Sequence, residues 1–405
     1  MALVVAKFGG TSVATPQHIK AVAQRLIECQ QADNEVVAVV SAMGQATDEL
    51  ITLAHTIASH PDGREYDMLL TTGERVTTAL LAMAIHEQGC RAVSFTGSQA
   101  GIITDNVHTK AKVAVVKADR VKEALADGYI VVVAGFQGVS AIGEITTLGR
   151  GGSDTTALAI AAGIGADLCE IYTDVDGVYS ADPRVVSCAR KIDHISYEEM
   201  LEMAASGAGV LSMRSVEFAR NHQIPIHCCS SFTHEKGTFV SSEKTGMEDP
   251  IVSAVVHDTS DAKITLRGVQ DRPGVAAALF GALAKENVNV DMIIQNVSES
   301  GLTDISFTVP HDDLECAIAA VTSVVDEIGA REWLFDEDVA KVSLIGAGMR
   351  THPGVTAKTC RALGDANINI DLISTSPIRL SCIIALQDVE RAVRVLHTAF
   401  GLDEQ

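Results

Sequence analysis

The chain has 405 residues, of which 47% are hydrophobic and only 4% aromatic, and its formal net charge is −21. This length and balance suit two or three domains with a sizeable core built from aliphatic side chains. The strong negative charge excludes a general nucleic-acid-binding surface, because a phosphate backbone needs clustered lysine and arginine. An anionic nucleotide would therefore have to meet a few local positive groups.

The cysteines and histidines show no metal-binding pattern. Nine cysteines occur without a C-x-x-C pair, and thirteen histidines occur without H-E-x-x-H spacing. We interpret the cysteines as small buried hydrophobes in a reducing cytosol and expect no zinc site. Lys7 and two glycines interrupt the early apolar run, and no apolar stretch approaches the ~18 residues that span a bilayer. The sequence predicts a cytoplasmic protein without a membrane partner.

The first 240 or so residues alternate short apolar runs with helical patterns. Thr15 is a predicted N-cap with Pro16 at the first helical position, and that helix should extend to about Gln31. Strands are predicted at residues 3–6, 36–40, 130–134 and 168–173. Because they alternate with helices, this region should form an α/β domain with a mainly parallel sheet sandwiched by helices.

A polar, aperiodic stretch from Ser241 to Asp249 indicates a boundary between domains at 1–245 and 250–405. An internal repeat with an offset of 80 residues follows it. Pro273-Gly274-Val275 recurs as Pro353-Gly354-Val355, and the motif at 288–293 recurs at 368–373. Each copy, about 263–335 and 341–405, predicts a small α+β βαββαβ unit. Two such units should pack together, within the chain or across a dimer.

Two glycine-rich segments are candidate anion sites. Lys7-Phe8-Gly9-Gly10-Thr11-Ser12-Val13 follows the first strand, where glycines would let backbone N–H groups approach a phosphate and lysine would add a positive charge. A simple tight turn explains this segment about as well. The second segment is Gly149-Arg150-Gly151-Gly152-Ser153-Asp154-Thr155-Thr156, which leads into a helix N-terminus. Ser153 and Asp154 also suit N-capping, whereas Arg150 suits a carboxylate clamp.

Three further polar segments lie at predicted strand or helix ends. Thr173 to Arg184 follows a strand of the open sheet, where such folds bind ligands. Its aspartates superficially match a calcium loop, but the glutamate at position 12 of such a loop is absent. The other two segments are Ser41 to Thr47 and Thr72 to Arg75, and each alone is more typical of solvated surface or a cap than of a site.

Together these five segments resemble one family, the aspartokinases of the amino-acid kinase superfamily. The C-terminal repeats resemble a tandem pair of ACT domains, which form the regulatory half of the same enzymes. The resemblance covers essentially the whole chain. It implies ATP-dependent phosphorylation of the β-carboxylate of L-aspartate to 4-phospho-L-aspartate, the first step of lysine, threonine and methionine biosynthesis.

The resemblance also implies roles for individual residues. Lys7 should lie against the transferring phosphoryl group, with Phe8, Gly9, Gly10 and Ser41 near the phosphates, and Asp154 should orient Lys7. Arg150 should hold the α-carboxylate of aspartate and Glu74 its ammonium group, while Thr47, Gly151, Gly152 and Ser153 complete the substrate side. Thr173, Asp174, Tyr179 and Arg184 should line the nucleotide side. Mg²⁺ would bridge the phosphates, and no protein residue is assigned as a metal ligand.

The reaction needs no general base, because the substrate's β-carboxylate is already ionised at neutral pH. One position departs from the family pattern. Many relatives carry a lysine that contacts the nucleotide where this chain has Gly209. We therefore expect either lower nucleotide affinity or compensation by Arg184 and the nearby Arg214.

In the family, ACT pairs bind amino-acid effectors, and lysine and threonine inhibit. The first copy carries the candidate effector residues Asp271, Pro273, Gly274, Val275, Asn289, Gln295, Asn296 and Thr303. The second carries Met349, His352, Pro353, Gly354, Val355, Asn369, Ser374 and Thr375. Because Asp271-Arg272 in one copy corresponds to Thr351-His352 in the other, the two sites should not be equivalent. The Pro-Gly pair also serves simply as a strand-to-helix turn.

Two other functions stay open from the sequence. One is another kinase of the superfamily, acting on acetylglutamate, glutamate or UMP, and the other is an inactive amino-acid sensor that retains the ACT pair. The ACT units predict a homo-oligomer or a complex with a separate regulatory chain. Such a chain would start at Met247.

Overall fold

The computed structural model describes residues 2–242, 251–296 and 301–403, without the side chains of residues 350 and 351. The described residues divide into two compact units. Residues 2–178, 191–204 and 209–242 form the first unit, and residues 179–190, 205–208 and 251–403 form the second. The segments 179–190 and 205–208 therefore belong to the second unit although the sequence predicts a first domain over 1–245. The predicted boundary at 245–250 and Met247 lie outside the described residues.

The N-terminal 241 residues alternate strands and helices, as the sequence predicts. The elements are β1 (Leu3–Phe8), a 3-10 turn (Thr11–Val13), α1 (Pro16–Gln31), β2 (Glu35–Val40), α2 (Ala46–Ile57), α3 (Gly63–Leu70), α4 (Thr72–Glu87), β3 (Ala92–Phe95), β4 (Ile102–Thr104), β5 (Val113–Val116), α5 (Asp119–Ala126), β6 (Ile130–Ala134), β7 (Gln137–Ser140), β8 (Ile145–Thr147), α6 (Gly152–Ile164), β9 (Leu168–Thr173), β10 (His194–Ser196), α7 (Tyr197–Ala205), α8 (Met213–His222), β11 (Ile226–Ser230) and β12 (Thr238–Ser241).

The main sheet of the first unit has the strand order β10-β12-β11-β9-β1-β2-β6-β3. Its neighbouring strands run parallel except for the β11–β12 pair. The continuous apolar run of β2 is buried from Val36 to Val40, as expected for a strand covered on both faces. A second, smaller sheet has the order β5-β4-β7-β8. The predicted class of a parallel-dominated α/β domain is confirmed.

Helix α1 begins and ends at the predicted residues. The Thr15 side chain accepts a hydrogen bond from the His18 N–H, and Pro16 occupies the first helical position. Its apolar face, including Ile19 and Leu26, joins a cluster that also contains Leu81 of α4. Burial of each such side chain contributes roughly 1.5–3 kcal/mol to folding, so this packing fixes α1 and α4 on the sheet that carries the site.

The C-terminal elements form two α+β units. They are β13 (Ala254–Asp258), β14 (Asp261–Gln270), α9 (Val275–Lys285), β15 (Ile293–Gln295), β16 (Leu302–Pro310), α10 (Leu314–Ile328), β17 (Glu332–Asp336), β18 (Val339–Ile345), α11 (Val355–Asp365), β19 (Leu372–Thr375), β20 (Arg379–Ala385) and α12 (Val389–Ala399).

The two repeat copies differ in how each completes its sheet. The first copy is a continuous βαββαβ unit with the order β15-β16-β14-β17. The second has the order β13-β18-β20-β19, so its fourth strand, β13, precedes the first copy in the chain. The sequence prediction of a self-contained second copy over 341–405 therefore lacks this strand, which pairs antiparallel with β18.

Two predictions from composition need correction. All nine cysteines are free, but Cys188, Cys316 and Cys360 are exposed and so are not buried hydrophobes. The helical stretch Gly63–Glu87 has the length and apolar composition of a membrane span, contrary to the expectation that no stretch approaches that length. Half of its most apolar 18-residue window is buried inside the fold, as occurs in core helices of soluble proteins.

Candidate functional site

The predicted phosphate and substrate segments follow neighbouring parallel strands of the main sheet. Phe8 at the end of β1 lies opposite Val40 of β2 and Tyr172 of β9. The residues that follow these strand ends therefore share one edge of the sheet. Such an edge is where open α/β sheets bind ligands.

Lys7 and Asp154 form an ion pair at this edge. Lys7 Nζ lies 2.6 Å from Asp154 Oδ1, and each side chain is only 12% exposed. Asp154 lies in the first turn of α6, and its Oδ1 has no aligned hydrogen-bond partner among the described residues. The contact is therefore an ion pair with poor hydrogen-bond alignment. The ammonium group has three N–H donors, which makes it suited to holding an anion as well as Asp154.

Gly9 and Gly10 leave the approach to Lys7 free of side-chain atoms. A Cβ at Gly9 would lie 3.5 Å from Lys7 Nζ, and a Cβ at Gly10 would lie 3.1 Å from both the Ala42 and Gly44 carbonyl oxygens. The Gly44 N–H donates to the Gly10 carbonyl at 3.0 Å, and the Ser41 N–H donates to that of Phe8 at 3.1 Å. The loops after β1 and β2 are thus bonded to each other, and Ser41 lies beside the glycine segment.

The Gly149–Gly152 loop adopts backbone conformations that require glycine. Gly149 and Gly151 have φ angles of 76° and 70°, and a Cβ at Gly151 would lie 2.4 Å from Ser212 Cβ. Gly151 is the N-cap of α6, so the alternative reading of Ser153 or Asp154 as the cap is wrong. Arg150, between the two left-handed glycines, is exposed and forms no ion pair with another described residue.

The Arg214 side chain binds backbone on the N-terminal side of the Gly149–Gly152 loop. Its two terminal nitrogens donate to the carbonyl oxygens of Leu148 and Ala111, each at 2.9 Å. Burial lowers the pKa of the Arg214 guanidinium from its ordinary value. Two of its nitrogens are therefore bonded to backbone around this loop, and the expected compensation for Gly209 by Arg214 stays a prediction.

Glu74 is a buried carboxylate with one unused oxygen. It is 2% exposed and lies in the first turn of α4. Its Oε1 accepts from the Ala42 N–H at 3.3 Å, and its Oε2 has no hydrogen-bond partner among the described residues. Burial raises the pKa of Glu74 to about 7. An orphaned carboxylate oxygen next to the Ser41-Ala42 loop suits a cationic ligand group.

The remaining substrate residues lie on the elements that the sequence indicates. Thr47 is half-buried in the first turn of α2, and Ser153 is buried in the first turn of α6. A Cβ at Gly135, which follows β6, would lie 2.6 Å from Ser153 Oγ. The close approach of these two chains explains why glycine follows β6, although the sequence analysis did not single it out.

The predicted nucleotide residues fall into both units. Thr173 Oγ1 donates to the exposed Asp174 carboxylate at 3.1 Å in the first unit. Tyr179 and Arg184 belong to the second unit. The Arg184 side chain is 89% exposed and donates to Asp182, and this hydrogen bonding lowers the pKa of the Asp182 carboxyl.

Asp67 stabilises segments next to the site, and the sequence analysis did not identify it. It is fully buried in α3 and accepts hydrogen bonds from Thr147 Oγ1 at 2.6 Å and from the Thr109 N–H at 3.1 Å. His108 Nδ1 lies 2.8 Å from its other oxygen. These contacts fix the segments before the Gly149 loop. A single acid in an amphipathic helix gives no signal of this role.

The Pro-Gly turns of the predicted effector sites lie at the N-termini of helices α9 and α11. Gly274 and Gly354 are the N-caps of these helices, with left-handed φ angles of 100° and 105°. Most of the side chains predicted around them are at least partly exposed, but Val275 and Thr303 are buried. The Thr303 hydroxyl donates to the Asn296 carbonyl, and His352 Nδ1 lies 2.9 Å from that of Gly348.

Comparisons with known proteins agree with this architecture. Residues 2–230 match the model of the amino acid kinase family, and residues 264–324 and 342–400 each match an ACT domain. An aspartokinase from Mycolicibacterium smegmatis is 54% identical over 407 residues, covering 99% of this chain and 97% of that protein.

Two solved structures of E. coli aspartokinase III are similar over 98% of this chain and 99% of theirs. The complex with aspartate and ADP in the R-state has a TM-score of 0.85 at 26% identity. The complex with lysine and aspartate in the T-state has a TM-score of 0.76 at 27% identity. Both the fold class and the resemblance inferred from the motifs are therefore confirmed.

Proposed function

The chain belongs to the aspartokinases of the amino acid kinase family, and we propose that it transfers the γ-phosphoryl group of ATP to the β-carboxylate of L-aspartate. The product is the acyl phosphate 4-phospho-L-aspartate. The observation that carries this proposal is the Lys7–Asp154 ion pair at the carboxyl edge of the sheet, beside the open approach at Gly9.

Phosphoryl transfer depends on positioning and charge stabilisation more than on covalent chemistry by the protein. Lys7 stabilises the negative charge on the transferring group, and Asp154 keeps its ammonium in place. The backbone N–H groups of Gly9 and Gly10 and the side chain of Ser41 border the same position. The β-carboxylate attacks the γ-phosphorus while ADP leaves, so no proton has to be removed from the nucleophile.

Glu74 and Arg150 select the amino acid. The buried Glu74 carboxylate accepts the α-ammonium group with its unused oxygen, which replaces the missing hydrogen bond. Arg150 is exposed on a loop held by glycine geometry and Arg214, and its planar guanidinium binds the α-carboxylate through two N–H groups. Thr47 and Ser153, together with the Gly151 and Gly152 amides, complete the substrate side.

The nucleotide is bound by Thr173, Asp174, Tyr179 and Arg184. Mg²⁺ prefers oxygen ligands, and the exposed Asp174 carboxylate and the Ser41 hydroxyl are suitable donors at this edge. When bound with ATP, the ion neutralises part of the phosphate charge.

The ACT units give feedback control in this proposal. E. coli aspartokinase III, which is similar over nearly the whole chain, has been solved with lysine and aspartate in its T-state. Lysine, threonine or both bind at the Pro-Gly turns before α9 and α11, where exposed backbone amides face solvent. The enzyme works in the cytoplasm at the first step of lysine, threonine and methionine synthesis, as a homo-oligomer or with a separate regulatory chain.

An assay of ADP formation with aspartate, glutamate, acetylglutamate and UMP as acceptors tests the reaction. We expect turnover with aspartate, and turnover only with another acceptor would contradict the proposal.

Lys7→Ala should lower kcat by roughly 100-fold or more, the size expected for a lost charge-stabilising group. Lys20→Ala is the matched control, because Lys20 is exposed on α1 and should leave kcat unchanged. Equal activity of both variants would make Lys7 purely structural.

A further inference from the structure

Ser180, His397 and Asp403 form a hydrogen-bonded chain inside the second unit. Ser180 Oγ lies 2.9 Å from His397 Nε2, and His397 Nδ1 lies 2.6 Å from Asp403 Oδ1. Ser180 is 4% exposed and His397 is fully buried. These hydrogen bonds therefore join the segment 179–190 to α12 and to Asp403 beyond it, and only Asp403, 28% exposed, is accessible to water.

Arg190 closes this chain into a ring. Its backbone N–H donates to Ser180 Oγ at 2.9 Å, and its guanidinium donates to the backbone carbonyl of Asp403. Because Ser180 accepts from Arg190, its own proton can point to His397 Nε2, which leaves the proton of the imidazole on Nδ1 for Asp403. Every polar side chain in the ring then has a partner, and the ring rigidly couples both ends of the segment 179–190 to α12.

The arrangement has the residue types and distances of a hydrolase triad, but its serine is unsuited to attack a substrate. Ser180 Oγ is buried and receives the Arg190 N–H. Cys188 lies close enough for its thiol to share a metal ion with His397 and Asp403. Both imidazole nitrogens are already hydrogen-bonded, so a metal would have to break the ring. A positioning role uses all the observed contacts and breaks none.

Further contacts attach the same segment to the second unit. Arg394 Nε donates to the Val185 carbonyl at 3.0 Å. Ala181 and Val186 are buried in one hydrophobic cluster with Leu396 of α12. Polar and apolar contacts thus hold the segment against α12, although it is covalently continuous with the Thr173–Asp174 loop of the first unit.

We propose that the Ser180–His397–Asp403 ring positions the segment that carries Tyr179 and Arg184 for nucleotide binding, so that the last helix of the second ACT copy sets nucleotide affinity. This inference rests on the nucleotide role proposed above for Tyr179 and Arg184. The ring residues are positioning residues and touch no substrate. If the ring is broken, only a fraction of molecules holds the segment in the binding geometry, and the apparent nucleotide affinity falls by that fraction.

The test compares Ser180→Ala with Ser343→Ala in the full-length enzyme. Both variants delete a buried hydroxyl of the second unit, but Ser343 bonds Ser381 at 2.7 Å within the second copy's sheet. We expect Ser180→Ala to raise the KM for ATP by roughly 5- to 10-fold, the loss of about one buried hydrogen bond. The KM for aspartate and the kcat at saturating ATP should not change. Ser343→Ala should lower Tm without changing either KM, and equal KM effects of the two variants would overturn the proposal.

A conservative replacement supplies the second readout. Asp403→Asn retains an oxygen that accepts from His397 Nδ1, whereas Asp403→Ala does not. The KM for ATP should therefore rise in Asp403→Ala and stay near the wild-type value in Asp403→Asn. The same KM in both would count against the ring.

Arg184→Ala and Tyr179→Phe test the nucleotide assignment separately from the positioning role of the ring. If either raises the KM for ATP while Ser180→Ala does not, the positioning inference fails and the nucleotide assignment stands. If neither raises it, the nucleotide assignment fails and the positioning inference fails with it.

Discussion

Lys341 of the second repeat copy lies 2.7 Å from Asp291 of the first, and the reciprocal pair joins Lys263 of the first copy to Asp371 of the second. Asp291 and Asp371 are equivalent positions of the 80-residue repeat. Each copy thus presents its Asn-x-Asp carboxylate to a lysine of the other. Asp261 and Asp291 hold the pKa of Lys341 above its ordinary value, although burial alone would lower it.

Replacement of Lys341 by methionine should strongly destabilise the tandem pair. The lysine side chain is 3% exposed and faces Asp258, Asp261 and Asp291 within 4 Å, so its loss leaves three carboxylates without their shared cation. Breaking a buried ion pair in this way costs about 3–5 kcal/mol in the free energy of unfolding. Urea denaturation followed by circular dichroism measures this loss.

Lys263→Met is the matched comparison, because its side chain is 13% exposed and contacts Asp336 and Asp371. It should cost clearly less than Lys341→Met, since water reaches the carboxylates left behind. Equal losses of unfolding free energy in the two variants would show that the deeper burial of Lys341 does not strengthen its ion pairs.

Much of the fold is predictable because the deciding signals are local. The Thr15 cap and Pro16 define where α1 begins, and the apolar run before Ser41 defines β2. The 80-residue repeat indicates two related units. The fourth strand of the second copy was missed because β13 lies before the first copy, and only non-local pairing with β18 reveals its place.

The site is predictable only in part for the same reason. The motifs mark Lys7 and Asp154, but their 2.6 Å contact depends on how α6 packs beside β1. The sequence cannot show that Arg214 is bonded to backbone carbonyls, because Leu148 and Ala111 lie 66 and 103 residues away in the chain. Asp67 gives no signal either, because its role depends on partners about 40 and 80 residues away.

Glu74→Gln should raise stability while it weakens aspartate binding. Because burial raises the Glu74 pKa from 4.5 to about 7, the folded state binds more protons than the unfolded state between these pH values. Wild-type stability should therefore fall as pH rises from about 4.5 to 7, by up to about 3 kcal/mol. Glutamine retains the acceptor for the Ala42 N–H and has no charge to bury. Thermal melts at pH 5 and pH 8 should show a gain for the variant only at pH 8.

The same carboxylate should make aspartate binding depend on pH. A protonated Glu74 cannot form an ion pair with an ammonium group, so the wild-type KM for aspartate should rise as pH falls below about 7. In Glu74→Gln the KM should be at least about tenfold higher at pH 8, which corresponds to one lost charged hydrogen bond, and should lose this pH dependence. An unchanged KM for aspartate would remove Glu74 from the substrate site.

Arg214→Lys should impair the aspartate side of the site and spare the nucleotide side. The guanidinium holds two carbonyls at once, those of Leu148 and Ala111, and lysine cannot reproduce this fork. The loop carrying Arg150 should become less ordered, and the KM for aspartate should rise roughly 3- to 10-fold, equivalent to about one hydrogen bond. Initial rates with each substrate varied separately measure this. A rise confined to the KM for ATP would instead support direct contact between Arg214 and the nucleotide.

Gly209→Lys should strengthen nucleotide binding. A Cβ at Gly209 would meet no atom within 4 Å, and its backbone is outside the left-handed region, so a side chain can start there without backbone strain. The family resemblance implies that a lysine here would reach the nucleotide, and a new charge pair with phosphate should lower the KM for ATP by roughly 2- to 5-fold. Gly209→Ala controls for the lost backbone freedom, and Gly209→Glu should raise the KM for ATP. If lysine and glutamate have the same effect, the position lies too far from the phosphates to matter, and the departure at Gly209 has no consequence for the nucleotide site.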